Sequence, residues 1–247
     1  MVDLVTPVRA GPHGFSTLWR GHLFLFDKVQ SRPTFGPDVG NSLLWTVVGL
    51  EALRLVLRFL ALPFPPFWLA VPVLLGLALL SVRVIVGLPW SAIGFREWSA
   101  WNGTEKSFFI QVLLIANVLF PVIFAAQLRR VFGEPSAIAT VWSVFVPYLF
   151  FGFYQEVLYR GMLQTEFVRR WGLIIGILVS NLLYTFGPLH YYYFSSRPSF
   201  AVPMFAAIFA MGLVFATIFR RSGNLWIVAV MHGIGNAYIV VSLRSMQ

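Results

Sequence analysis

The chain has 247 residues, 58% of them hydrophobic and only 11% charged, with a formal net charge of +9 and no cysteine. Soluble domains run at about 45–50% apolar and about 25% charged, so the composition is that of a polytopic membrane protein. The absence of Cys excludes a disulfide framework, thiolate chemistry and Cys-bound metal. The basic excess is no sign of nucleic acid, because Arg and Lys sit in short breaks between apolar runs, where they set orientation and meet anionic head groups.

Residues 1–38 read as an N-terminal arm of Pro, Gly and scattered basic residues, with one short apolar patch at 23–26. That patch is too short for a signal-peptide core, and no small-residue cleavage site follows it. The arm is expected to lie at the cytoplasmic interface, anchored by Trp19 and Phe24. Residues 39–247 read as a single transmembrane domain, with no polar linker and no internal repeat.

At about 20 apolar residues per crossing, five to seven spans are expected, and the fold class is an all-α bundle of about seven helices. The first span, 41–62, carries Glu51, Arg54 and Arg58 near one helical face. This reads as a structural cluster, with Arg58 snorkelling to the interface. The Pro-rich stretch 62–66 stops it, and a second span covers 67–88. A polar, Trp-containing loop, 94–106, reads as interfacial. The third span, 107–128, ends at Arg129 and Arg130, and a fourth follows the Gly133-Glu134-Pro135 break from 137 to 165, closed by Arg169 and Arg170. The fifth covers 172–190, its end loosened by Gly187 and Pro188. After the interfacial aromatics 191–194 come a sixth span, 200–219, ending in Arg220 and Arg221, and a seventh, 224–243. With seven spans the larger basic total falls on the side of the arm, so the N terminus is expected in the cytoplasm, although Arg129 and Arg130 lie opposite.

Chemistry concentrates in 137–243. The fourth span contains Tyr154-Gln155-Glu156-Val157-Leu158-Tyr159-Arg160, a carboxylate and a guanidinium four apart and hence on one helical face. A charge at mid-membrane costs about 2.5–3.5 kcal/mol on insertion scales, so such a pair marks a functional site by default. His190 ends the fifth span, and His232 and Asn236 share one face of the seventh; the other two histidines, His13 and His22, lie in the arm. Counting rise along straight helices from the Arg169 and Arg220 side puts Glu156 about 18 Å deep, His232 about 12 Å and His190 about 27 Å.

If these groups converge, two chemistries are open. His190, His232 and Glu156 could hold zinc with a fourth position left for water. Alternatively, without any metal, Glu156 acts as general base on water while a His and Asn236 donate to the tetrahedral oxyanion. The second fits better, because Asn is a poor zinc ligand and a good oxyanion donor, and the His-Glu-x-x-His zinc helix is absent.

Three blocks in this order, Gln155-Glu156-x-x-x-Arg160, Phe186-x-x-x-His190 and His232-x-x-x-Asn236, resemble the CPBP intramembrane proteases. That family, also called Abi, includes CAAX-processing enzymes and proteins linked to bacteriocin processing and immunity. The resemblance covers about two fifths of the chain. It implies a glutamic-type endopeptidase with no obligatory metal: water activation by the motif's carboxylates, oxyanion stabilisation by His232 and Asn236, a site role for His190, and Arg160 orienting the carboxylate. The family's first block usually begins with two Glu, the first generally taken as the base, and here that position is Gln155. An amide cannot take a proton from water. Either Glu156 is the base, with Gln155 positioning water or the scissile carbonyl, or the chain is a catalytically silent relative.

The leading expectation is therefore an intramembrane endopeptidase acting on a membrane-anchored protein or peptide: a CAAX-like lipidated tail, a leader or a C-terminal sorting signal. The alternative is a silent family member acting as a membrane binding or immunity protein. A transporter with the ion pair on its path fits less well, since no inverted repeat or paired broken helices are seen.

Overall fold

The computed structural model describes residues 35–59, 67–187, 190, 194–195 and 198–244. The arm up to residue 34, with Trp19, Phe24, His13 and His22, lies outside the described residues, as do 60–66, Pro188, the aromatics 191–193 and the Arg58 side chain. What is described is helical, without a strand: α1 (Pro37–Phe59), α2 (Phe67–Val84), α3 (Gly103–Ile123), α4 (Ala125–Gly133), α5 (Ala137–Trp171), α6 (Leu173–Thr185), α7 (Ala201–Ser222) and α8 (Leu225–Arg244). In hydrocarbon every backbone polar group must find its partner within the chain, which helices achieve locally. Five helices, α1, α3, α5, α7 and α8, are long and apolar enough to cross a bilayer, and α2 and α6 are shorter apolar helices. The chain is an integral, multi-pass membrane protein. Apolar side chains such as Leu114, Val118 and Val122 on α3 and Val202 on α7 stand exposed on its outside.

The seven expected runs each contain an apolar helix, and the departures have local causes. The loop expected at 94–106 ends early, because Asn102 and Glu105 form a capping box that starts α3 at Gly103. The Glu105 amide donates to Asn102 Oδ1 at 2.8 Å, and the Asn102 amide donates to Glu105 Oε2 at 2.9 Å. Glu105 is buried, paired with Arg96 at 2.6 Å, and accepts from Asn224 Nδ2 at 3.3 Å. The Leu225 amide also donates to the Gly94 carbonyl at 2.8 Å, so this loop is stapled to the turn that launches α8. The third span breaks at Phe124, three residues past Pro121, and α4 continues from there as a separate helix bearing Arg129 and Arg130.

The fourth span is longer than expected. Helix α5 runs on to Trp171 because Glu166 gathers both Arg169 and Arg170, three and four residues ahead on the same face. It contains two wide-turned π stretches, Val141–Phe145 and Val157–Gln164. The second begins directly after Glu156 and contains Arg160, and the Thr165 hydroxyl donates to the Arg160 carbonyl at 3.3 Å. Such stretches recur at functional sites.

Helices α5 and α8 cross with their backbones touching. A Cβ on Gly152 would sit 2.5 Å from the Cα of Gly233, and one on Gly233 would sit 2.6 Å from the Leu149 carbonyl oxygen. Only glycine permits that approach, the small-residue route to tight packing in membranes. The contact brings His232, beside Gly233, to within one turn of Glu156.

On α1, Arg54 and Glu51 face each other as a two-pronged pair. Tyr154 of α5 donates its hydroxyl towards Glu51 Oε1 and the Leu50 carbonyl, both at 3.4 Å. This cluster ties α1 to α5.

Candidate active site

The crossing sets the centre of the site. His232 Nδ1 lies 2.7 Å from Glu156 Oε1, with Glu156 fully buried and His232 buried beside it. Phe215 of α7 stacks on the His232 ring, centroids 5.0 Å apart. The other carboxylate oxygen, Oε2, stands 3.5 Å from Arg160 Nε, an ion pair without hydrogen-bond geometry. Among the described residues Glu156 Oε2, Arg160 Nε and Arg160 Nη1 make no hydrogen bond. A buried acceptor of this kind is costly unless bonded.

Arg160 is held away from a closer embrace of Glu156 by the helices on its far side. Its Nη2 donates to the Gly212 carbonyl at 3.0 Å and towards Asn181 Oδ1 at 3.4 Å. A Cβ on Gly212 would collide with Asn181 and come within 3.1 Å of Arg160 Nη2, so α7 reaches the guanidinium only because that residue is glycine. The guanidinium also lies over the Tyr184 ring, 4.2 Å from its centroid, an arrangement worth about 2 kcal/mol when desolvated.

Gln155 and Asn236 form the second layer. Asn236 Nδ2 donates to Gln155 Oε1 at 3.5 Å; Gln155 is buried and Asn236 half-buried. An amide pair of this kind leaves Asn236 a second N–H and orients it from behind.

His190 arrives by a turn rather than on a straight helix. The fifth span was expected to run to 190, but α6 ends at Thr185 and the chain bends at Phe186 and Gly187. His190 Nδ1 then donates back to the Tyr184 carbonyl at 2.9 Å, and the imidazole stands edge-on to the Tyr184 ring, centroids 4.9 Å apart. The Tyr184 hydroxyl in turn lies 3.4 Å from His232 Nε2. The six residues singled out from the sequence are thus brought together in two contacts, Glu156 with His232 and Gln155 with Asn236, with Arg160 beside the first and His190 joined through Tyr184. Among the described residues no three His, Asp or Glu side chains are grouped as a metal would need.

Two residues passed over by the sequence reading join this site, Asn181 and Tyr184. Asn181 Nδ2 donates to the Phe209 carbonyl at 2.9 Å while its oxygen faces Arg160. The available signal was their spacing: a polar amide and a phenol three apart on one face of an otherwise apolar span.

No curated protein and no solved structure matches the chain. A family model does, the one described as type II CAAX prenyl endopeptidase, Rce1-like, over residues 137–238. All six site residues lie within that stretch, over which the chain is similar to this endopeptidase family.

Proposed function

We propose that the chain is an intramembrane endopeptidase that cleaves a peptide bond near the end of a lipidated, CAAX-like protein tail, with Glu156 as the base. One observation carries this reading: a fully buried carboxylate anchored through one oxygen by His232 at 2.7 Å, with its other oxygen bonded to nothing among the described residues. An anchored carboxylate with a spare acceptor is what activation of water requires.

In the proposed reaction Glu156 Oε2 accepts a proton from water as the water oxygen attacks the scissile carbonyl carbon. The carbonyl oxygen becomes an oxyanion, to which Asn236 donates through the N–H not given to Gln155. When the tetrahedral species collapses, the C–N bond breaks and the departing amine takes the proton from Glu156, which restores the carboxylate. His232 aims the carboxylate, and Arg160, whose charge is permanent, stands 3.5 Å from its free oxygen. With His232 engaged by Glu156, oxyanion stabilisation falls mainly to Asn236. No step of this reaction needs a metal ion; zinc on His190, His232 and Glu156 is the alternative that a chelator tests.

The family description favours a prenylated tail over a peptide leader or a sorting helix. The basic clusters of the arm, Arg169 with Arg170, and Arg220 with Arg221 favour a cytoplasmic N terminus. A second reading, a silent relative that binds such a tail without cutting it, is favoured by Gln155 standing where the family usually has Glu. Purified protein in liposomes, given a farnesylated CAAX-type peptide, separates the two. The protease releases the C-terminal fragment and Glu156→Gln does not, whereas no release from either chain, with the peptide still bound, establishes the silent relative.

A further inference from the structure

Tyr184 touches three of the site's charged or imidazole groups at once. Its hydroxyl is 3.4 Å from His232 Nε2, its carbonyl receives His190 Nδ1 at 2.9 Å, and its ring lies 4.2 Å from the Arg160 guanidinium carbon. It is buried, and its ring also meets both imidazoles edge-on.

Each contact constrains a proton. A carbonyl oxygen can only accept, so His190 carries hydrogen on Nδ1 and keeps Nε2 as its acceptor. At His232, Nδ1 faces a carboxylate flanked by the fixed positive charge of Arg160. That oxygen also accepts, and the hydrogen again belongs on Nδ1. In the neutral ring Nε2 of His232 is then a lone pair, and the Tyr184 hydroxyl facing it at 3.4 Å acts as donor.

We infer that Tyr184 is the positioning residue of this site: its carbonyl and its hydroxyl hold both imidazoles in the Nδ1–H form, leaving Nε2 as the accepting nitrogen of each. Which nitrogen of an imidazole is protonated follows from the partner its other nitrogen finds, and here one residue supplies a partner to both rings. For hydrolysis, where this rests on the reading of the preceding subsection, His190 Nε2 accepts a hydrogen bond that orients the attacking water, whose transferred proton goes to Glu156, while His232 keeps its proton and aims Glu156.

Nitrogen-15 NMR of the full chain, labelled at histidine and held in lipid nanodiscs, reads the proton positions directly, with His190→Gln and His232→Gln giving the assignments. At neutral pH both rings should show a protonated Nδ1 and a bare Nε2. Tyr184→Phe keeps the ring and the carbonyl, so it should leave the His190 pattern in place and let His232 drift towards a mixture of forms. A protonated Nε2 on either ring of the unaltered chain overturns the inference, as does a His232 pattern that Tyr184→Phe fails to move. The unaltered chain alone decides the matter if the variant does not fold. With a farnesylated CAAX-type peptide as the probe, Tyr184→Phe should lower kcat roughly tenfold to a hundredfold with KM within about twofold. A raised KM with kcat intact would overturn the positioning role. The spectrum requires no cleavage, so absence of peptidase activity in the unaltered chain would sink the proposed function and leave the proton placement standing.

Discussion

Of the Glu–Arg pairs on the described spanning helices, one on α1 and one on α5 are built to opposite ends. On α1, Glu51 and Arg54 close on each other in a two-pronged bridge, with side chains 15% and 12% exposed. On α5, Glu156 and Arg160 are 0% and 1% exposed and yet stand 3.5 Å apart without a hydrogen bond between them. The second pair is held open from outside: His232 draws the carboxylate from α8, while Gly212 and Asn181 draw the guanidinium from α7 and α6. In an apolar medium a pair closed on itself has spent its bonding capacity and serves as a staple, whereas a pair stretched between third parties keeps an acceptor for chemistry. Sequence spacing alone does not separate the two cases, because both put an acid and a base on one helical face.

The contrast can be broken by substitution. Glu156→Gln should abolish hydrolysis of a prenylated peptide, a loss of at least about a hundredfold and up to about ten-thousandfold, with the protein still folded by circular dichroism. Residual turnover near the unaltered rate would move the reactive acid elsewhere, with Glu51 the next carboxylate to test. Asn236→Ala should lower kcat by about a hundredfold to a thousandfold, the usual cost of one oxyanion donor, with little change in KM. Gly152→Ala should destabilise the chain by about 1–3 kcal/mol through overpacking, read as a lower Tm, and should reduce activity because α5 and α8 must separate. Glu51→Gln should destabilise the chain by about 1–3 kcal/mol, because Arg54 loses the charge it is closed on, and leave kcat within about twofold; a collapse of activity there would erase the distinction between the two pairs. The smallest expected effect is none at all: excess chelator should leave turnover unchanged, and a loss restored by added zinc would favour the three-ligand reading.

Much of the architecture was legible from hydropathy alone, because a bilayer enforces long apolar runs and helical backbone. The helix ends were less so. Glu105 was placed in a loop although Asn102-x-x-Glu105 is a capping-box signature, and α4 was divided between a span and its basic end because Arg129 and Arg130 read as a terminus. At the site the residue types were legible, but their pairing was not. Depth counting put His190 roughly 15 Å beyond His232 because it assumed a straight rise of about 1.5 Å per residue. In fact α6 stops at Thr185 and the chain turns back, so that His190 hydrogen-bonds to a carbonyl six residues earlier. Tyr184 was passed over because a phenol in an aromatic-rich chain looks like filler until its hydroxyl is seen against an imidazole.

The contact of Gly152 with Gly233 fixes the register of acid and imidazole through main chain rather than through interlocking side chains. The outward faces of α5 and α8 are thereby relieved of that duty. The lipid-facing coat can be rewritten for a thicker, thinner or more anionic bilayer while the reaction centre stays in adjustment, which makes this crossing a natural pivot for carrying one chemistry into many membranes.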